Sequence, residues 1–440
     1  MKSPTTSRKN IYSISIDLHE KHRGKIETVS KVPITSLKDF SIWYTPGVAG
    51  PARAISSNRE LSFSLTNRWN TIAVVTDGTR VLGLGDIGPE ASLPVMEGKA
   101  LLFKYLGGVD AVPLALNTKD PDEFISIIKV LEPSFGGFNL EDIASPKCFY
   151  ILEKLRELLN VPVWHDDQQG TALVVLAALY NALKIVGKRI EDIRVAMIGA
   201  GAAGLSIVRY LIKAGVKPGN VVVVDINGIL HPDREDLRSN DPLLKWHREI
   251  AQITNSDGRR GGIREAMIDA DVVIAASAPK PGLIKKEWIK LMRDNPIVFS
   301  LANPEPEIWP WDAKEAGARI VATGRSDFPN QVNNSLGFPA VFRGALSVQA
   351  RKITDDMCIA AAKALAKYAE EKGISEDYII PKMNEEEAYV IEALTVAEKA
   401  IEEGIARIKK SRNELEQEIR LLISRPKKYM KTLIENELIT

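Results

Sequence analysis

A chain of 440 residues exceeds what a single hydrophobic core supports, so two or more domains are expected. Its 45% apolar and 26% charged residues are ordinary for a folded globular protein and exclude wholesale disorder. The 58 basic and 57 acidic residues leave a net charge of +1, which argues against nucleic acid as the main partner, since a polyanion needs a basic stripe.

The start, MKSPTTSRKNIYSISIDLHEKHRGK, carries charges where a secretion signal needs an apolar run, so no targeting segment is expected. Up to about Asp110 the pattern is mixed, with the apolar runs TIAVVT and VDAVPLAL separated by Gly- and Pro-rich loops. Helical spacing appears in ALLFKYL, where Lys99 stands at the start of the apolar run, and again in EFISIIKVLEP. From Pro146, KCFYILEKLRELLN reads as a helix ending before Val161-Pro162, because proline disfavours helix at the residue before it. The polar loop WHDDQQGT then leads into an apolar helix from Thr171 to Val186. That run is shorter than the ~20 residues a membrane span needs, so it reads as a core helix and no membrane partner is expected. Cys148 and Cys358 lie far apart, outside any metal-ligand spacing, and fit the reducing cytoplasm.

Next comes a strand, IRVAMIG, a glycine turn, GAGAAG, and a helix, LSIVRYLIKAG. Further strands are NVVVVD, ADVVIAAS, PIVFSLAN and ARIVAT, and their alternation with helices predicts an α/β fold with a parallel doubly wound sheet. Residues 226 to 264 form a long polar insertion with no assigned structure. After about Val348 the chain reads helical to its end. Ile408, Leu415, Ile419 and Leu422, interleaved with Lys409, Lys410, Arg412 and Arg420, predict an amphipathic helix docking on its own domain or on a partner subunit.

Several stretches carry chemistry. Gly199-Ala200-Gly201-Ala202-Ala203-Gly204 follows a strand and opens a helix, the context in which a glycine turn cradles a dinucleotide pyrophosphate at a helix N-terminus. Asp225 ends the next strand, where a carboxylate accepts from ribose hydroxyls and repels a 2′-phosphate; this favours NAD over NADP, with Arg234 able to soften the preference if the insertion folds back. Glu141-Asp142 and Asp166-Asp167 are clustered carboxylates without Cys or His pairs, which favour a hard oxygen-ligated cation, Mg²⁺ or Mn²⁺. Tyr44 on a Pro-Gly turn and Lys99 beside an apolar run are too polar for their surroundings, and a partly desolvated lysine near a metal has a lowered pKa and can act as a base.

Taken together, WYTPGVA, VVTDGTRVLGLGDIG, LPVMEGKALLFK, EPSFGGFNLEDI, HDDQQGTA, SLANPEPEI and ATGRSDFPNQVNN resemble the malic enzymes, in particular the short prokaryotic type without a phosphotransacetylase extension. The resemblance runs from about Thr35 to Ala345. It implies Tyr44 as general acid, Lys99 as general base, Asp166 in the catalytic hydrogen-bond network, and Glu141, Asp142 and Asp167 as metal ligands. Asn303 and Asn334 are similar to asparagines touching malate and the nicotinamide end, and Arg80 stands where larger relatives hold the substrate carboxylate. The implied reaction is NAD(P)-linked oxidative decarboxylation of malate to pyruvate and CO₂, with decarboxylation of oxaloacetate as a side activity and a homodimer as the assembly. A malolactic enzyme that releases lactate, or a non-catalytic dinucleotide sensor, is the alternative. The chain after the tyrosine motif, Val48-Ala49-Gly50-Pro51, departs from the family by lacking a glutamate before the proline. The expected division is an N-terminal substrate and metal domain over 1–164, a Rossmann-type dinucleotide-binding domain over 165–347 and a C-terminal helical segment over 348–440.

Overall fold

The computed structural model describes residues 11–439; the first ten residues of the start read above, and Thr440, lie outside the described residues. The chain opens with four short helices, α1 (Ile11–His22), α2 (Asp39–Trp43), α3 (Ala49–Ser57) and α4 (Ser62–Leu65). The first three bury none of their residues.

A first sheet follows from three β/α repeats and a closing strand: β1 (Thr71–Thr76), α5 (Pro89–Gly107), β2 (Asp110–Ala115), α6 (Pro121–Leu131), β3 (Gly137–Leu140), α7 (Lys147–Leu158) and β4 (Val163–His165). Its order is β2-β1-β3-β4 and every pair is parallel, as expected where a helix links each strand to the next. Lys99 lies in the middle of α5 rather than at its start. Pro89 at the first helical position begins the helix well upstream of the apolar run.

The stretch expected to be an entry loop is β4 followed by a π-helical turn, Asp166–Gly170, which runs straight into α8 (Thr171–Val186). This helical run, Asp166–Val186, meets the length and hydropathy of a membrane span, but most of it is buried here as core.

The second sheet comprises β5 (Val195–Ile198), α9 (Ala202–Lys213), β6 (Val221–Asp225), β7 (Gly228–Ile229), α10 (Lys245–Ile253), α11 (Ile263–Met267), β8 (Val272–Ala275), α12 (Lys286–Ile289), β9 (Ile297–Ser300), α13 (Pro310–Glu315) and β10 (Ile320–Thr323). The order β10-β9-β8-β5-β6-β7 reverses direction between β5 and β8, the switch point at which such sheets open a ligand crevice. All pairs are parallel except the short edge strand β7.

The insertion at 226–264 thus acquires a place. It contains β7, two 3-10 turns and α10, and Trp246 of α10 stacks on Phe149 of α7 at 4.9 Å, tying the two sheets' helices together.

Four helices close the fold: α14 (Phe338–Ser347), α15 (Asp355–Lys372), α16 (Glu386–Glu402) and α17 (Arg412–Glu435). Phe338 and Phe342 of α14 pack on Phe103 of α5 with ring centroids 4.6 and 5.3 Å away. The C-terminal helix docks on its own chain, against α5 and α16, and buries Leu415, Ile419 and Ile423; the anticipated Leu422 is half-buried beside them.

Candidate active site

Parallel register builds the acidic centre. Val75 of β1 pairs with Leu140 of β3, and Leu140 pairs with His165 of β4. Glu141 and Asp166 are therefore the next residues at one edge of the sheet, where parallel strands end together. Asp142 has φ +54, a left-handed backbone that a non-glycine residue adopts only under local constraint. The constraint is visible. The Arg80 and Leu82 amides donate to Asp142 O and Oδ1 at 3.0 and 3.2 Å, and the Asp142 amide donates to Asp167 Oδ2 at 2.9 Å.

Within this frame an oxygen each from Glu141, Asp142 and Asp167 lie within 4.8 Å of one another. Asp166 turns the other way and accepts from Lys99 Nζ at 2.6 Å, while Glu141 Oε1 lies 3.0 Å from the same ammonium. The π turn makes this division possible, and Gly170 permits the turn: a Cβ there would sit 2.1 Å from Asp166 Oδ1.

Electrostatics here is governed by burial. Desolvation raises the Glu141 carboxyl well above its usual range, opposed by Lys99, and pushes Asp142 up to about 8, reinforced by Asp167. Asp166 and Asp167 are raised for the same first reason, with the Arg80 guanidinium among the groups holding Asp167 down. Lys99 runs opposite to expectation. Burial alone lowers its pKa, yet Asp166 and Glu141 outweigh that and hold it as an ammonium, with the Phe338 ring 4.4 Å below it. With all four carboxyls ionised, Lys99 and Arg80 would leave two negative charges uncompensated, and among the described residues Asp142 Oδ2 is buried without a hydrogen-bond partner. That surplus and that orphaned oxygen fit a divalent, oxygen-ligated cation held by Glu141, Asp142 and Asp167. His165 is fully buried, and desolvation takes its imidazole down to about 3, so it is neutral packing beside the cluster.

The second sheet presents its own edge to the first. Gly199 has φ +109, and a Cβ on it would meet Ala276 O at 2.4 Å. One on Gly204 would meet Gly199 O at 1.8 Å, so helix and strand close only with glycine there. Gly201 is different, because a Cβ on it would touch nothing within 4 Å; its smallness leaves room outside the protein, as a pyrophosphate cradle needs. Ala202 and Ala203 begin α9 directly, and the Ala200 carbonyl accepts from His247 Nε2 at 2.9 Å, so α10 of the insertion braces the turn. Asp225 ends β6 as anticipated.

Asn303 and Asn334 lie on loops beyond β9 and β10 that face the acidic cluster. A Cβ on Gly83, in the loop that feeds Asp142, would come within 2.5 Å of Asn303 O, and one on Gly170 would come within 3.2 Å of Asn334 Cβ. The side chain of Arg80 is exposed beside Asp167. Tyr44 is not brought to this cluster. It is 67% exposed at the end of α2, and its hydroxyl has no partner among the described residues.

Besides His247, a second residue escaped sequence reasoning. Glu307, fully buried, accepts from the Ser277 amide and hydroxyl at 2.8 and 3.0 Å and from Ser300 Oγ at 2.9 Å. It also accepts from the Ala302 amide at 3.2 Å, so one carboxylate binds the ends of β8 and β9 and fixes the loop carrying Asn303. Its only sequence signal was a glutamate in an otherwise apolar run, PEI.

Two facing parallel-sheet edges, one acidic with an embedded lysine and one with a dinucleotide turn, define a two-domain, metal-assisted dinucleotide-linked oxidoreductase. Family models agree in detail: residues 23–156 match the malic enzyme N-terminal domain and residues 168–401 the malic enzyme NAD-binding domain. The chain belongs to the malic enzyme family. It is 48% identical to the bifunctional malic/malolactic enzyme of Bacillus subtilis over 93% of this chain and 97% of that one. It is 50% identical to the NAD-dependent malic enzyme of Geobacillus stearothermophilus over 87% of this chain and 78% of the relative. The solved malic enzyme of Pyrococcus horikoshii superposes with a TM-score of 0.92 at 51% identity, covering 97% of this chain and 99% of that one.

Proposed function

We propose that the protein oxidatively decarboxylates malate to pyruvate and CO₂, reducing NAD(P). The observation that carries this reading is the Lys99 ammonium held between Asp166 and Glu141, at the rim of the Glu141, Asp142 and Asp167 cluster. Bound there, Mg²⁺ or Mn²⁺ would supply a Lewis acid for the substrate oxygens, and the dinucleotide at the glycine turn would supply a hydride acceptor. Lys99 takes the proton of the C2 hydroxyl as the C2 hydride leaves, which oxidises C2 to a ketone. Asp166 orients the lysine and shares that proton. Arg80, Asn303 and Asn334 bind and orient the dicarboxylate and the nicotinamide end. The C3–C4 bond then breaks with loss of CO₂, and Tyr44 donates its phenolic proton to C3 of the resulting enolate, giving pyruvate. A cation held by the three ligands would also offset the carboxylates that hold Lys99 protonated and so let it act as a base.

Tyr44 requires a second copy of the chain. Its segment exposes Ile42, Trp43 and Phe40 as well as Ile11, Tyr12 and Ile16, an apolar strip that supports burial in a homodimer in which each copy lends Tyr44 to the other's site. Mixing inactive Tyr44→Phe and Lys99→Ala proteins after subunit exchange then restores about a quarter of wild-type activity, because half the dimers are hybrids with one intact site. No recovery refutes the shared site. Both cysteines are buried free thiols, which supports the cytoplasm as the setting.

The assay for the reaction is malate-dependent NADH or NADPH formation with Mg²⁺ or Mn²⁺, with pyruvate identified as product. Neither reduced cofactor nor pyruvate would refute it. The Bacillus relative's second activity favours one further reading, conversion of malate to lactate with the dinucleotide recycled, recognised by lactate without net cofactor reduction.

A further inference from the structure

The glycine turn accounts for the pyrophosphate of a dinucleotide, but its adenosine end meets a charged cluster of this chain's own. Asp225 Oδ1 accepts from the Asn227 amide at 2.8 Å and from Arg234 Nη1 at 2.8 Å. Arg234 is buried, and its other nitrogens are engaged as well. Nε reaches Asp236 Oδ1 at 2.9 Å, Nη2 reaches Asp236 Oδ2, and Nη1 additionally reaches Gly228 O at 3.4 Å. Asn227 Nδ2 donates to Asp236 Oδ2 at 3.3 Å, closing the ring of contacts. Asp225 Oδ2 is left without a protein donor among the described residues.

We propose that Arg234 is a latent 2′-phosphate site masked by Asp225 and Asp236, so that this triad makes the chain selective for dinucleotides lacking a 2′-phosphate. The inference rests on the dehydrogenase reading above. A guanidinium is the side chain best shaped for phosphate, and this one stands one residue contact from the carboxylate that ends β6. Each of its three nitrogens already contacts a carboxylate. Two carboxylates against one guanidinium leave the cluster net negative, so a doubly charged 2′-phosphate would face repulsion and a guanidinium already held by carboxylates. A ribose carries hydroxyls instead, and these donate to the free Asp225 Oδ2 at no such cost.

The test is calorimetric binding of 2′,5′-ADP and 5′-AMP to the full chain, with circular dichroism as the folding control. Wild type binds 5′-AMP at least ~10-fold more tightly than 2′,5′-ADP, and the double variant Asp225→Ser, Asp236→Asn tightens 2′,5′-ADP by about 100-fold, roughly tenfold for each charge removed. Adding Arg234→Ala to that background abolishes the gain, which separates an unmasked arginine from mere loss of repulsion. Unchanged 2′,5′-ADP affinity in the folded double variant, or a gain that survives Arg234→Ala, overturns the proposal. If the double variant does not fold, Asp236→Asn alone carries the same test, with a gain of about tenfold that Arg234→Ala removes. A wild-type protein that reduces NAD with malate while failing these tests loses only the masking. One that binds neither nucleotide and reduces no NAD loses the dehydrogenase reading and the masking with it.

Discussion

Glu392 offers a stringent test of how this fold treats buried charge. It lies on α16, fully buried, and among the described residues neither carboxyl oxygen has a hydrogen-bond partner. Desolvation raises its pKa well above the ordinary value, and no described cation offsets it. In the unfolded chain the same group ionises near ~4.3. Because the folded-state pKa is the higher one, this residue's contribution to stability is fully present below about pH 4 and is lost as pH rises through the folded pKa. The slope is ~1.4 kcal/mol per pH unit, so a carboxyl still protonated at pH 7 costs about 4 kcal/mol relative to pH 4. Glu392→Gln keeps the shape and removes the proton linkage. The variant should match the parent near pH 4.5 and exceed it increasingly up to pH 7. For a chain of this size about 1 kcal/mol shifts the thermal midpoint by ~1 °C, so the gap should widen by ~3 °C between pH 5 and 7. Midpoints from circular dichroism at half-unit pH steps provide the measurement. A gap that is constant with pH would refute the argument, since it would mean that Glu392 ionises inside the fold as it does outside.

The active-site assignments yield further expectations. Lys99→Met should lower kcat/KM for malate by ~10²–10⁴, the usual worth of a general base, and turnover at the wild-type level would sink the assignment. Mn²⁺ at about 100 times its Kd should stabilise the protein by ~2.7 kcal/mol in thermal unfolding, and Asp142→Asn should abolish most of that shift; an equal shift in the variant places the cation elsewhere. Gly204→Ala should prevent normal folding, because its Cβ would lie 1.8 Å from Gly199 O. Gly201→Ala should keep the wild-type thermal midpoint and instead weaken NADH binding by fluorescence titration, since nothing in the protein opposes that Cβ.

The strands legible in the sequence are those rich in β-branched residues and buried on both faces, such as TIAVVT and NVVVVD. β3 and β4 were not legible because GFNL and VWH are short, and glycine, asparagine and histidine disguise them as loop. That omission mattered, since the register of those two strands is what brings Glu141 beside Asp166. That Glu141, Asp142, Asp167 and Lys99 belong together could be read from residue type and family resemblance, but the lysine's mid-helix position and its raised pKa could not. Both depend on Pro89 starting α5 early and on carboxylates arriving from β3 and β4. Glu307 and His247 were invisible for a related reason: each acts on backbone groups far away in sequence, and a single chain records no trace of such a partnership.

Strand direction places the site between two sheets rather than within one. Parallel strands end together, so each sheet concentrates chain reversals, free amides and side chains at a single edge. The first edge gathers carboxylates whose mutual repulsion and burial would be destabilising in isolation, and Lys99, Arg80 and a bound cation would balance them. The second edge gathers amides and a helix N-terminus suited to an anion. An acidic edge and an anion-binding edge are electrostatically complementary, and a substrate carrying two carboxylates and a hydroxyl can join one to the other through the cation and the nicotinamide. The bracing contacts run across that seam. Trp246 stacks on Phe149 at 4.9 Å, and Gly83 passes so close to Asn303 O that no side chain fits. The insertion and the loop after β1 are therefore hinges of alignment as much as local structure, because a small shift in either would separate base from hydride acceptor and cost far more in rate than in stability.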